Sequence, residues 1–244
     1  MLHDSERQLE NERGKRLMAM GQMAASLAHE IRNPLGSMEL FCSLLKRDLA
    51  NQPGSLNLAD QIHQAIKRLD RIVTNCLQFA RDVVPRRKPV DTEKILSEIL
   101  GEVKGKIGGD RAIDIELKLK GTGMVSIDRF LIQQALTNLL WNALDAVSAR
   151  VPNEASAAHV LVESDVTDQK EWQISISDNG PGIDPAIREK VFDPFYTTKE
   201  GGTGLGLPIV HSVIAAHKGT ISLESELGCG TRVTVIIPSK DEES

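Results

Sequence analysis

A chain of 244 residues has room for one large domain or two smaller ones, and 41% apolar against 26% charged residues is the composition of a folded globular protein rather than a disordered one. A formal charge of −5 argues against a broad nucleic-acid surface, and the longest apolar runs are too short and too interrupted to cross a bilayer. Only 3% of residues are aromatic, which suits helical bundles with aliphatic seams; Cys42, Cys76 and Cys229 are odd in number and far apart, so they read as free thiols in a reducing compartment.

Residues 1–16 are highly polar and helix-compatible (Ser5-Glu6-Arg7-Gln8-Leu9-Glu10) and show no secretory signal pattern. They read as a helical lead-in, either from an upstream input region or as the start of a short cytosolic protein. From there apolar residues recur at Leu17, Met20, Ala24, Leu27, Ile31, Leu35, Met38, Cys42, Leu45 and Leu49, in alternating steps of three and four with one irregularity. This is a coiled-coil seam on one long helix. His29-Glu30-Ile31-Arg32-Asn33-Pro34 interrupts it. At about 100° per residue His29 lies roughly 200° round from Leu27, so the imidazole points away from the seam. A lone helical histidine is most simply a residue without chemistry; one presented beside a carboxylate, with an amide one turn on, calls for a reason. Pro34 removes a backbone donor and is expected to bend the helix there.

Asn51-Gln52-Pro53-Gly54-Ser55 reads as the turn of a hairpin. A second helix is announced by Leu58, Ile62, Ala65, Leu69, Ile72, Cys76 and Phe79, a clean heptad. Two helices with one narrow stripe each cannot enclose a core, so the expectation is a homodimer whose two hairpins form a four-helix bundle. Val83-Val84-Pro85-Arg86-Arg87-Lys88-Pro89 reads as a linker with a domain boundary near residue 88. The expected organisation is a lead-in over 1–16, a hairpin over 17–83, a linker over 84–90 and a second domain over 91–244.

Beyond the linker the periodicity changes. Thr92–Val103 predicts a helix, Ile113–Leu119 a strand and Val125–Ile127 a short strand; Asp128 then caps a long helix from Arg129 to Ala149. On that helix Asn138, Asn142 and Asp145 align at i, i+4 and i+7, opposite Leu131, Ala135, Leu139 and Ala143. The stripe is either a solvated face or a set of hard oxygens converging on magnesium and a polyphosphate; asparagine is a poor helix former, which favours the second. Strands follow over Val160–Val166 and Trp172–Ser177, the latter running into Asp178-Asn179-Gly180-Pro181-Gly182. A carboxylate at a strand end, with glycines admitting backbone to a ligand, suits the exocyclic amine of adenine. After Phe192-Asp193-Pro194-Phe195-Tyr196-Thr197-Thr198-Lys199 comes Gly202-Thr203-Gly204-Leu205-Gly206, leading into a helix over Leu207–Ala216. Such a loop presents free N–H groups and a positive helix end to phosphates. Two strands, Thr220–Glu224 and Thr231–Ile237, close an α/β sandwich.

Five motifs in this order resemble the kinase core of bacterial two-component sensor histidine kinases: the stretch at His29, Asn138 to Ala143, Asp178 to Gly182, Phe192 to Lys199, and Gly202 to Gly206. The Asn-Pro after the histidine and the Phe-Tyr-Thr-Thr-Lys segment are most similar to the nitrogen-regulation type. The resemblance implies an α+β chain: a dimerising helical hairpin followed by an ATP-binding α/β sandwich of the histidine kinase, chaperone and topoisomerase type. It implies ATP and Mg2+, with Asn142 on the metal and Asn138, Asp145, Asp178, Gly180, Gly182, Phe192, Lys199, Gly202, Thr203, Gly204, Leu205, Gly206 and Thr231 around the nucleotide. His29 would accept the γ-phosphoryl group and pass it to an aspartate of a response-regulator receiver domain. Glu30 would hydrogen-bond the other ring nitrogen or take the displaced proton, and Asn33 would orient water to dephosphorylate that partner. The implied protein is a cytoplasmic homodimer with no nucleic-acid partner and no membrane contact by this segment. A chaperone-type ATPase, or a scaffold that binds ATP only to change shape, would have no use for His29 on a hairpin.

Overall fold

The structure, a computed structural model, describes residue 31 and residues 33–49, 52–79, 83–107, 113–149, 157–168, 170–199 and 202–239. The chain divides between residues 82 and 83 into two compact units. His29, Glu30 and the lead-in over 1–16 lie outside the described residues.

The first unit is a helical hairpin. Helix α1 is continuous over 33–48, and α2 runs Pro53–Phe79. The turn is shorter than expected: Pro53, Gly54 and Ser55 already belong to α2, because a proline in the first helical turn gives up an N–H that has no partner there anyway. Cys42 Sγ hydrogen-bonds the Ala59 carbonyl at 3.1 Å and Lys46 pairs with Asp60 at 2.7 Å, fixing the register of the two helices. The seams differ from expectation in an instructive way. Leu35 and Cys42 are buried against Ile66 and Val73, whereas Ile31, Met38 and Leu45, on the same expected seam, are exposed. On α2 the buried positions are Ala59, Ile66 and Val73, and the expected stripe of Leu58, Ile62, Ala65 and Leu69 faces outward. Each helix therefore carries two apolar stripes, and one hairpin covers only one of them. The side chains of Ile72, Cys76 and Phe79 fall outside what is described.

The second unit begins with a strand. Residues 88–90, expected in the linker, belong to β1 (Lys88–Asp91), which pairs antiparallel with β3 (Met124–Ile127). Pro89 masked this strand in the sequence, since proline is tolerated in a two-stranded edge pairing but argues against a longer sheet. Helix α3 (Thr92–Lys106) follows, its N-terminus capped by the Asp91 carboxylate on the Glu93 and Lys94 amides. A five-stranded sheet takes the order β2-β4-β5-β7-β6, built from Ile113–Leu119, Ala158–Val166, Glu171–Asp178, Gly230–Pro238 and Thr220–Glu226. Only β2 and β4 are parallel. Helices α4 (Arg129–Ser148) and α5 (Gly206–Ala216) pack on it, α4 beside both α3 and α5.

Register explains the core. Val162 stands opposite Ile176, Ile174 opposite Val235, and Trp172 opposite Ile237, so one face of the sheet is a continuous apolar layer, fully buried at Trp172 and Ile237. From α4 it receives Ile132, Ala135, Leu136, Leu139, Leu140, Ala143, Leu144 and Val147. The alternate residues form a polar outer face, where hydrogen bonds from Lys120 and then Arg232 hold the Glu163 carboxyl below the ordinary carboxylate range. This in-and-out alternation is that of a sheet covered on one side only.

The ends of α4 and α5 meet at a buried histidine. Asp128 caps α4 by accepting from the Phe130 and Leu131 amides, and its own N–H donates to His217 Nε2 at 3.0 Å. His217 Nδ1 then donates to the Val213 carbonyl at 2.8 Å, so the ring is neutral. Burial lowers the His217 pKa, with Arg87 adding to the effect, against the opposing Val213 hydrogen bond and Asp128 charge. The sign follows. Below the free imidazole value of about 6.5 the unfolded chain takes up a proton that the folded unit refuses. Stability is therefore complete above about 6.5 and drains as pH falls towards the lowered folded pKa, by at most about 1.4 kcal/mol per pH unit. Denaturant unfolding at pH 7.5 and 5.5 should show this loss in the native chain and a smaller one in His217→Leu; equal pH dependences would contradict the neutral buried ring.

Candidate functional site

The expected nucleotide residues within the second unit come from α4, the loop after β5, the segment 185–199 and the glycine loop before α5. On α4, Asn142 and Asp145 share one cation: Lys199 Nζ lies 3.4 Å from Asn142 Oδ1 and 3.0 Å from Asp145 Oδ2. The pair is exposed, so its net contribution to stability is small. Its chemical content is larger. Two hard oxygens one turn apart already accept a single positive charge, the donor chemistry that magnesium takes. Asn138 completes the stripe, and its Nδ2 is buried with no hydrogen-bond partner among the described residues. A buried amide donor left so is costly, and an oxygen-rich ligand would satisfy it.

Asp178 ends β5 with its carboxylate turned back onto the loop it precedes, accepting the Gly180 N–H at 2.8 Å. Burial raises its pKa, opposed by hydrogen bonds from the Gly180 and Thr231 backbone and by the Lys199 charge. A half-withdrawn carboxylate with unspent acceptor capacity suits an amine donor. Gly182 takes φ +72°, and a Cβ there would stand 2.0 Å from the Glu226 carbonyl, so the β6–β7 turn packs directly on this loop. Gly228 adds a hydrogen bond from its N–H to the Pro181 carbonyl at 2.7 Å.

The glycine loop docks on the preceding segment through backbone. Gly204, at φ +63°, lies so close to Phe195 that a Cβ would meet its carbonyl carbon at 2.3 Å. The Phe195 N–H in turn donates to the Gly204 carbonyl at 3.0 Å, with Phe195 itself held at φ +66°. A non-glycine residue in that region is uncommon and costs of order 1 kcal/mol or more. Phe192 sets its ring edge-on to His211 of α5, centroids 6.2 Å apart. At the head of α5, Leu205 is buried and offers no side-chain cap, Thr203 Oγ1 accepts the Leu205 N–H at 3.3 Å, and Gly206 faces the Asn142 amide. Uncapped helix N–H groups thus open beside the α4 stripe, where phosphate charge is favoured. Gly202 closes the loop back, its N–H on the Lys199 carbonyl at 3.0 Å.

Asn138, Asn142, Asp145, Lys199 and the loop 202–206 therefore line one flank of the second unit, and Asp178, Gly180, Gly182 and Thr231 form its adjoining end. Asn33 belongs to the first unit, exposed on α1. The sequence reading passed over Asn179, whose side chain straps the loop to the start of β4 by accepting the His159 N–H at 2.9 Å and donating to the Ala157 carbonyl at 2.8 Å. It also passed over Ser225. No spacing in the sequence marks either one; only strand register does.

Residues 19–82 match the model of the His Kinase A (phospho-acceptor) domain, and residues 127–241 match that of the histidine kinase-, DNA gyrase B-, and HSP90-like ATPase. Among characterised proteins the chain is 31% identical over 229 residues to the signal transduction histidine-protein kinase AtoS of Escherichia coli, an alignment covering 92% of this chain and 36% of AtoS. The chain thus spans about a third of that relative's length. Among solved structures it is similar to full-length ShkA in complex with AMPPNP, with a TM-score of 0.74 at 25% identity over 91% of this chain and 47% of that one. It is similar also to histidine kinase ThkA in complex with response regulator protein TrrA, with a TM-score of 0.67 at 27% identity over 98% of this chain and 67% of that one.

Proposed function

Because this chain belongs to the sensor histidine kinases, pairing their phospho-acceptor hairpin with their ATP-binding domain, we propose that it transfers the γ-phosphoryl group of ATP to His29 and from there to an aspartate of a response-regulator receiver domain. The observation that carries this reading is the clustering, within one unit, of an oxygen stripe on α4, a half-buried carboxylate at Asp178 and an uncapped helix end at Gly206. The relative solved with AMPPNP and the one solved with a response regulator support it.

In the proposed reaction an imidazole nitrogen of His29 attacks the γ-phosphorus in line. A P–N bond forms, the bond to the β–γ bridging oxygen breaks, and ADP leaves with that electron pair. Glu30 either holds the N–H of the second ring nitrogen or takes the proton the reaction releases. Asp178 orients adenine, and the α5 amides with Lys199 bind the phosphates. A magnesium ion, held by Asn142 with Asp145 beside it, would supply charge neutralisation on the polyphosphate. Asn138, with its unspent amide donor, would bind alongside.

The dimer belongs to the same proposal. Ile31, Met38, Leu45, Ile62 and Leu69 are all more than two-fifths exposed on an isolated hairpin. Burying the half of each that is still exposed recovers about 0.7–1.5 kcal/mol, and a second hairpin offers the same stripes in return. A cytosolic kinase core continuing an upstream input region, of the nitrogen-regulation type, completes the reading; the described helices include none long and apolar enough to cross a membrane. The deciding experiment incubates the chain with γ-labelled ATP and then adds a receiver domain. Acid-labile, base-stable label on the chain, moving to the receiver, is the expected result; ATP hydrolysis with no label on the protein would leave only an ATPase.

Asn33 carries the reverse activity in this reading. Four residues, the length of about one helical turn, separate it from His29 in the sequence, and an amide can position water but cannot act as a nucleophile. Asn33→Ala should keep most autophosphorylation and transfer while lowering dephosphorylation of the receiver at least about tenfold, roughly 1.4 kcal/mol of barrier. Parallel losses of both activities, with the helical circular dichroism intact, would assign Asn33 to the support of the Pro34 segment instead.

A further inference from the structure

One residue at the rim of the nucleotide site has no part in the reaction above yet joins three of its elements. Ser225 lies near the end of β6 in register with Thr231, and Thr231 in turn stands opposite Asp178 on β5. Its hydroxyl accepts the Ile183 N–H at 2.8 Å, lies 2.9 Å from the Gly230 carbonyl and 2.9 Å from Thr231 Oγ1. Its own carbonyl accepts Arg188 Nη2 from the segment leading to Phe192. One residue thus ties together the loop after Asp178, the segment 185–192 and the strand bearing Thr231.

Counting protons gives the arrangement a direction. A serine hydroxyl has one hydrogen and two lone pairs. The Gly230 carbonyl can only accept, so the Ser225 hydrogen goes there; the two lone pairs receive the Ile183 N–H and the Thr231 hydroxyl hydrogen. Thr231 Oγ1 is left as an acceptor. Two acceptors, Asp178 and Thr231 Oγ1, then stand opposite one another on adjacent strands. An adenine presents an amine with two hydrogens to such an edge, whereas guanine presents a carbonyl oxygen that both acceptors repel.

We propose that Ser225 is a positioning residue for base selection: it holds Thr231 as an acceptor beside Asp178 and so makes the nucleotide site discriminate adenine from guanine. The inference rests on the reading of Asp178 as the adenine contact, and the test separates the two. Calorimetric titration of the 244-residue chain with ATP and with GTP, alongside thermal melting, should show Ser225→Ala weakening ATP about five- to tenfold, the scale of one hydrogen bond. GTP should change less than about twofold, so the ATP-to-GTP preference falls; Ser225→Thr, which keeps a hydroxyl, should restore it. A merely structural serine would weaken both nucleotides equally or only lower the melting temperature, and either result overturns the proposal. Thr231→Val, which removes the acceptor itself, should reproduce the lost preference and fail to add to Ser225→Ala in the double variant; full additivity overturns the proposal, and where Ser225→Ala does not fold an unchanged preference in Thr231→Val overturns it. Asp178→Asn provides the control. If it lowers the preference while Ser225→Ala does not, only the present inference falls; if it leaves the preference intact, the adenine reading falls with it.

Discussion

His29→Gln is expected to abolish incorporation of γ-phosphate while leaving ATP affinity within a few-fold of the native chain. Glutamine keeps a polar side chain of similar reach and helix propensity, so the hairpin loses little, but an amide nitrogen is not nucleophilic and cannot carry the phosphoryl group. The nucleotide contacts proposed above all come from the second unit, which is compact by itself and begins at residue 83. The loss should therefore be total for labelling and slight for binding, a separation that calorimetry and autoradiography on one preparation measure directly. A collapse of ATP affinity in His29→Gln would contradict a site built by the second unit alone. Residual acid-labile label would place the acceptor elsewhere.

Asn142→Ala is expected to remove magnesium-dependent nucleotide binding and autophosphorylation together, by at least the roughly 10–100-fold that losing even a supporting partner of a metal ligand typically costs. The side chain offers its oxygen to the cation that Asp145 also contacts, and its amide lies beside Gly206 at the head of α5. Fold stability should change by less than about 1 kcal/mol, since alanine is the better helix former at this partly exposed position. That contrast between a large functional and a small structural effect is the readout. Titrating magnesium with ATP held constant distinguishes the roles: a ligand lost shifts the magnesium dependence to higher concentration, whereas a purely positional asparagine lowers activity at every concentration alike. Full activity at ordinary magnesium would assign the ligand to another residue.

Much of this architecture is written in local signals. Asp128 was legible as a cap because a carboxylate preceded an apolar period of 3.6, and it caps α4 through two amides as such residues do. The strands of the large sheet were legible because each half-covered strand alternates. The sequence misled where two periodicities overlap. Leu58, Ile62, Ala65 and Leu69 form the more regular heptad, yet Ala59, Ile66 and Val73 are the buried positions, because this helix carries two apolar stripes and regularity does not say which one is local. β1 was hidden by its proline. Within the site, the motif residues were legible by spacing, whereas Ser225 and Asn179 act through partners 5 to 42 positions away that only register brings close.

The short strand β1 has a mechanical consequence. The chain enters the second unit through residues 83–87, and before it reaches β1 the Arg86 N–H is fastened on the Asp128 carboxylate at 2.8 Å and the Arg87 guanidinium on the His217 carbonyl. Both fastenings are at helix ends, the cap of α4 and the end of α5. A tug or twist arriving along the incoming chain is therefore delivered to the two rods that flank the glycine loop, with the five-stranded sheet acting as the bench to which they are clamped. Asp128 is the bearing of that joint, since one carboxylate serves both as the cap of α4 and as the cleat for Arg86.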